Sequence, residues 1–361
     1  MDSRLLATLN SEARNTRDPL VWARTVCRAS AHYSRHGMTT EALKAISVVR
    51  DHYGIDIDPE IASWLMLAEG VLHYFRADTK AAYSRIKKAY GLAMALDTTS
   101  AMPICAAWMA HIEFHDGEYT KMYSHIEEAL TLAQPDDHAA HARAALVLAN
   151  SYQLAGSYSF ARPWYEKARL RAADDGDNAT LSAMLYNVAA FRAANVRLDD
   201  TFGIYSEKEL HRAGMEMASS RHYDHAIGTR GLDFLSLLLR ALIETIGKRF
   251  PEALDLFSII DPTKLQAQML TPMYVDMAWC QANNGNIEAA ETNLKKALDG
   301  LQYVVEPDDK AYSFSRISQI LILLNRSEES EPFKETANEA LRSYRNFQAS
   351  LLVQLHAIRK Q

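Results

Sequence analysis

The chain has 361 residues and a formal net charge of −6, from 39 Lys plus Arg against 45 Asp plus Glu, so it offers no broad basic footprint for nucleic acid. With 48% hydrophobic and 23% charged residues it is too apolar for a disordered chain. Only 14 Gly and 10 Pro interrupt it and strand-like runs of Val, Ile and Thr are missing, which points to an all-α protein.

In chain order, the opening MDSRLLATLNSEARNTRDP meets charge at Asp2 too early for the apolar run of a secretory leader, and residues 1–20 are expected to form an extension or cap. No apolar stretch reaches the roughly 18 residues of a membrane span. The closest, Leu232 to Ile246, is broken by Asp233, Arg240 and Glu244. Cys27, Cys105 and Cys280 are distant and odd in number, which argues for buried thiols in a reducing cytoplasm rather than a disulfide scaffold.

One pattern then recurs. ASAHYSRHGMTTEALKAISVV carries Ala29, Gly37, Ala42, Ile46 and Val49, and AEGVLHYFRADTKAAYSRIKKA carries Gly70, Ala77, Ala82, Ile86 and Ala89. WMAHIEFHDGEYTKMYSHIEEA has Ala110, Gly117, Met122, Ile126 and Ala129, and LANSYQLAGSYSFARPWYEKA has Ala149, Tyr152, Gly156, Ala161, Tyr165 and Ala168. A later copy, MAWCQANNGNIEAAETNLKKA, has Ala278, Gly285, Ala290, Leu294 and Ala297. The spacing reads as an apolar helix, a short Gly turn, and a second helix whose small residues recur every seven positions and let paired helices approach. It predicts hairpins near 21–52, 61–96, 102–134 and 139–173, within an array over 21–196. An irregular helical connection is expected over 197–230, where Arg197 to Gly203 looks like a long polar link. Further hairpins are expected over 231–345, with Pro251 at a helix start. Residues 346–361 are expected to form a separate helix capping the last repeat. Its inward face would be Leu351, Leu352, Val353, Leu355 and Ile358, with Arg359 and Lys360 at the negative end of the helix dipole.

This pattern resembles the tetratricopeptide repeat (TPR), a helix-turn-helix unit of about 34 residues. The copy with Ala149, Tyr152, Gly156, Ala161, Tyr165 and Ala168 matches most fully. Others depart from it, with Glu113 for the usual aromatic, Ala77 for the turn Gly and Met122 at a small position. The resemblance implies a right-handed helical-hairpin solenoid whose first helices line a concave groove. Carried onto these copies, it places Arg24, Arg35, Trp64, Tyr74, Phe75, His111, Phe114, His115, Arg143, Asn150, Gln153, Arg192 and Asn283 on that groove, with Arg24, Trp64, Phe75, Phe114 and Arg143 expected to be more exposed than the Ala packing series. Trp64, Trp108, Trp164 and Trp279 also read as packing residues, Trp108 and Trp164 above all.

Arginine forks pair with carboxylates and aromatic rings supply apolar anchors. The expected partner is therefore a protein or peptide segment with acidic and hydrophobic groups, with no nucleic acid and no membrane, and with self-association left open. No cofactor or metal is expected: His111/His115 and His138/His141 share helix faces, but no HExxH or Cys cluster accompanies them. GxGxxG, P-loop and GxSxG motifs are missing too, so a noncatalytic scaffold is the leading expectation. A signal-responsive bacterial regulator that binds a peptide is the alternative, and a hydrolase or phosphatase stands behind both.

Overall fold

The computed structural model describes residues 3–54, 57–96, 100–265, 267–304 and 306–358. Among these residues the regular structure is helical, without a strand. The first helix, α1 (Arg4–Asn15), buries Leu5, Leu6 and Leu9 with Ala29. Four hairpins follow: α2 (Pro19–Arg35) with α3 (Thr39–Tyr53), α4 (Pro59–Phe75) with α5 (Thr79–Ala95), α6 (Met102–His115) with α7 (Tyr119–Leu132), and α8 (His138–Leu154) with α9 (Tyr158–Asp175). Next come α10 (Asn178–Thr201) and α11 (Glu207–Ile227). The chain continues with α12 (Asp233–Ile246) and α13 (Phe250–Ile259), α14 (Ala267–Asn283) and α15 (Ile287–Gly300), and α16 (Pro307–Leu323) and α17 (Ser327–Ile358). The helices start where local chemistry dictates: the Asp18 carboxylate accepts from the amides of Leu20 and Val21, Asp58 accepts from Glu60, and Pro19 and Pro59 occupy first turns.

The hairpin turns share one backbone feature. Gly37, Ala77, Gly117, Gly156, Lys248, Gly285 and Asn325 all have positive φ. Five and twelve residues beyond each lies a buried side chain, as in Ala42 and Val49, Ala82 and Ala89, Ala161 and Ala168, or Ala290 and Ala297. Met122 fills the equivalent place in α7 and is likewise fully buried. Lys248 and Asn325 set the same register, with Ala253 and Ile260, and Ser330 and Ala337, although neither was recognisable as a turn residue. Ala77 has φ +61°, a left-handed conformation that costs a residue with a Cβ roughly 1–2 kcal/mol. Ala77→Gly is therefore expected to stabilise the fold by about 0.5–1 kcal/mol after the greater entropy of the unfolded glycine is subtracted. Denaturant midpoints of parent and variant check this; a lower midpoint for the glycine form would contradict it.

The chain forms two compact units: residues 1–184, 223–232 and 351–361, and residues 185–222 and 233–350. The first unit has a core built from α2 to α6, including Cys27, Ile46, Val71, Ile86, Trp64 and Trp108. In the second, Ala189, Ala193 and Val196 of α10 pack with Leu210, Ala213 and Met217 of α11 and with Leu239, Ile243 and Ile246 of α12. Cys27, Cys105 and Cys280 are free and buried.

Three sequence expectations need correction. Arg197 to Thr201 are not a polar link but the last turns of α10, and α11 is regular, so within 197–230 only 202–206 and 228–230 lie outside helices. The small residue that meets Ala42 is Ser30, whose hydroxyl donates to the Ala42 carbonyl at 2.9 Å, whereas Ala29 packs on α1. Gly70 is the small residue of α4, where an added Cβ would stand 2.5 Å from the Ile86 side chain, and Ala77 takes the turn. Residues 346–358 continue α17 without a break, and the segment from Leu351 belongs to the first unit. There the Tyr152 hydroxyl donates to the Leu355 carbonyl at 3.1 Å and the rings of Phe160 and His356 lie 4.6 Å apart. Leu351 and Leu355 are buried as expected, but Val353 is exposed. The Ile358 side chain and the dipole role of Arg359 and Lys360 lie outside the described residues.

Candidate functional site

In the first unit, α2, α4, α6 and the start of α8 wall a cavity of about 250 Å³. Trp64 and Trp108 supply its apolar surface, Arg24, Arg28, Arg35 and His32 come from α2, and Asp136 and Asp137 from the approach to α8. The Trp64 indole donates to the Ser100 hydroxyl at 3.2 Å.

The cavity is closed by the turn between α9 and α10. Gly176 is left-handed there, and its carbonyl accepts from the Leu5 amide at 3.3 Å. Asp177 next to it is 2% exposed and caps α10, accepting from the Thr180 amide at 3.1 Å and hydroxyl at 2.7 Å. The same carboxylate accepts from Arg35 at 2.7 Å and faces His32 Nδ1 at 3.7 Å, while Asp175 accepts from Arg28 at 2.9 Å. Despite its burial, the Arg35 charge and the hydrogen bonds from Arg35 and Thr180 hold the Asp177 carboxyl below the usual carboxylate range. His32 Nε2 lies 2.9 Å from the Ser3 hydroxyl and 3.0 Å from His36 Nε2, and His36 Nδ1 lies 2.7 Å from the Thr229 hydroxyl.

Burial pushes His32 down to about 4 and His36 to about 3, with Arg35 opposing the charge of both. Each imidazole is neutral in the fold but takes up a proton near pH 6.5 when unfolded. Their contribution to stability is thus complete above pH 6.5 and falls as acid is added, levelling off only below about pH 3. Unfolding midpoints measured from pH 7 to pH 4 should drop for the parent and drop less steeply for a folded His36→Gln variant; parallel slopes would contradict the assignment.

Beside the cavity, Tyr74, Phe75, Trp108, His111 and His115 form a ring cluster. Centroid distances run from 4.8 Å for His111 and His115 to 6.4 Å for Tyr74 and His115. His111 Nε2 and the Tyr74 hydroxyl are 3.0 Å apart, and the buried His111 Nδ1 has no hydrogen-bond partner. The Arg143 guanidinium lies 4.0 Å above the Trp108 ring. Burial and the Arg35 charge push Arg143 down to about 9, which leaves it cationic at neutral pH. His115 is exposed to solvent, and the protein around it, then the Arg143 charge, lowers its affinity for a proton.

The predicted groove residues thus divide. Arg24, Arg35 and Trp64 line the cavity, with Arg24 3.7 Å from Glu12. Tyr74, Phe75, His111, His115 and Arg143 join in the ring cluster. Phe114 is buried with its ring 6.3 Å from that of Tyr119, and the Tyr165 hydroxyl lies 2.9 and 2.6 Å from the Asn150 and Gln153 side-chain oxygens inside the α8–α9 hairpin, donating to one of them. Arg192 pairs with Glu209 and Glu216 in the second unit, where Asn283 is exposed. Trp64, Phe114 and Arg143, at 6%, 7% and 5%, are more exposed than Ala42, Ala82, Ala161 and Ala168 at 0% but are still buried, as are His111, Asn150 and Gln153. Of the residues expected on the groove with a ring, Phe75 keeps 39% exposure. The sequence reading missed Arg28, His32, Asp175 and Asp177 as site residues and treated Trp108 as packing alone; helix spacing could have found the first two, since Arg24, Arg28, His32 and Arg35 share a face of α2.

Among the described residues no group of three or more His, Cys, Asp or Glu is arranged to hold a metal ion, and no helix is long and apolar enough to cross a membrane. No curated protein matches the chain. Residues 103–171, which run through α6, α7, α8 and most of α9, match the tetratricopeptide repeat family, and the all-α hairpin array that contains them is TPR-like.

Proposed function

We propose that the protein is a noncatalytic scaffold whose first unit binds a segment of a partner protein on the face formed by α2, α4, α6 and α8. Tetratricopeptide repeats generally mediate contacts between proteins, and the observation that carries the reading here is the cavity those four helices share, with two indoles and a row of arginines on its wall. Indoles bury large apolar area with few rotatable bonds, and arginine forks select carboxylates, so a segment with apolar and acidic groups suits the face. The three free, buried thiols agree with a reducing compartment such as the cytoplasm.

Selection of a random-peptide library on the intact protein tests the proposal. Peptides that bind the parent and lose affinity at least tenfold on folded Trp64→Ala support it. Peptides indifferent to Trp64→Ala and Phe75→Ala alike contradict it. A regulator that changes shape on binding is the second reading, favoured by the Arg28–Asp175 and Arg35–Asp177 pairs that close the face. A selected peptide that leaves the hydrogen exchange of the α9–α10 turn unchanged would count against it.

A further inference from the structure

Between α3, α4 and α5 of the first unit lies a smaller cavity of about 110 Å³, which shares no residue with the one at Trp64 and Trp108. Buried Ile46 and Leu72 form its apolar side. Three arginines stand on its charged side: Arg50 in the last turn of α3, Arg76 at the C-cap of α4 and Arg85 in α5. One carboxylate lies among them. Glu69 of α4 is 6% exposed, accepts from Arg50 Nε at 3.1 Å and lies 2.9 Å from Arg85 Nε. Among the described residues no hydrogen bond engages Nη1 of Arg50 or the Nη atoms of Arg85. Arg76 is exposed, and among the described residues it has neither an ion pair nor a side-chain hydrogen bond. Glu69 thus fixes two guanidinium groups and leaves the third uncompensated, so three positive charges face a single negative one. The remaining titratable side chain on the wall, His73, lies 3.5 Å from Asp78, which is committed to capping α5.

We propose that this cavity is a binding site for a dianionic phosphoryl group, carried by a phosphate monoester or present as the free anion. A phosphoryl dianion balances the two positive charges in excess and offers an oxygen to each arginine, whereas a carboxylate brings one charge and two oxygens. Planar guanidinium forks match phosphate oxygens, and because Glu69 already orients Arg50 and Arg85, less ordering is left for the ligand to impose. Ile46 and Leu72 keep water from one side of the anion, which strengthens its attraction to the arginines. Leu43, 43% exposed on the wall, offers apolar contact to whatever carries the phosphoryl group. Arg50, Glu69 and Arg85 alone would be an ion-paired bridge between hairpins; Arg76 is the side chain that turns the bridge into an anion site. The assignment does not depend on the docking face of the first helices, since none of these arginines lines that cavity.

Calorimetry on the intact protein at about pH 7.5, where a phosphoryl group is mostly dianionic, tests the site with three probes: inorganic phosphate, acetyl-phosphoserine-leucine-amide and acetyl-serine-leucine-amide. At least one phosphoryl probe should bind roughly tenfold or more tightly than the serine dipeptide. A phosphorylated dipeptide that binds more tightly than inorganic phosphate assigns the site to a phosphorylated side chain; inorganic phosphate that binds at least as well assigns it to the free anion. Arg76→Gln should weaken the phosphoryl probe roughly tenfold, and because Arg76 is exposed and unpaired the substitution strands no buried charge. Arg24→Gln, on the wall of the other cavity, should leave the affinity unchanged. No binding of either phosphoryl probe, binding indifferent to Arg76→Gln, or binding that is lost with Arg24 instead overturns the assignment. None of these outcomes bears on whether library-selected peptides depend on Trp64, so the phosphoryl site and the docking face stand or fall separately.

Discussion

Replacing Asp177 with alanine is expected to destabilise the first unit by about 3–5 kcal/mol, the usual consequence of removing one partner from a buried ion pair. The carboxylate is 2% exposed and accepts from Arg35, from the Thr180 hydroxyl and from the Thr180 amide. Its loss leaves the Arg35 guanidinium, whose side chain is 11% exposed, without a counter-charge and α10 without its cap. The contact also joins residues 142 positions apart, so it fastens the α9–α10 turn onto α2 where local structure alone would leave both ends free. Tryptophan fluorescence is a convenient probe, since Trp22, Trp64, Trp108 and Trp164 lie in the first unit and Trp279 in the second. A fluorescence midpoint equal to the parent's in Asp177→Ala would show that the turn is held by something else. Asp177→Asn, which can still accept from Thr180, should lose less.

Ala161→Trp should damage folding before it affects any partner. Ala161 is fully buried in α9, five residues beyond the turn at Gly156, where α9 lies against α8. Overpacking such a site costs about 1–3 kcal/mol and more where the backbone cannot yield. The equivalent place in α7 holds Met122, also fully buried and in contact with the Ser151 hydroxyl at 3.4 Å. A long, flexible side chain can therefore be built into this register, and Ala161→Met is expected to cost distinctly less than Ala161→Trp. Equilibrium unfolding of the three proteins decides the matter, and an unchanged midpoint for the tryptophan variant would remove Ala161 from the close contact.

The hairpins were legible because their signals are local. A turn residue and the small or aliphatic residues five and twelve positions later lie within one hairpin, so Gly117, Gly156 and Gly285 announce the packing of Ala129, Ala161 and Ala290 without any knowledge of the rest. Two turns escaped because lysine and asparagine at 248 and 325 carry the left-handed backbone that glycine carries elsewhere. The site was legible only in part. Arg24, Arg35 and Trp64 could be placed on one wall from first-helix positions alone. Their burial, and the role of Asp175 and Asp177, depend on a turn that returns to α2 after more than 140 residues, and no periodicity reports such a closure. The fate of the carboxyl-terminal segment escaped for the same reason: Leu351 and Leu355 do present an apolar face, but sequence alone does not say that Tyr152 and Phe160 receive it.

Hydrogen exchange of the intact protein, with and without a library-selected peptide, tests the docking face most directly. The account predicts that bound peptide slows exchange in α2, α4, α6 and α8, with the largest effect around Trp64, Trp108 and Arg143, and leaves α3, α5 and α7 unchanged. Protection confined to the second helices of the hairpins, or to the second unit, would contradict it.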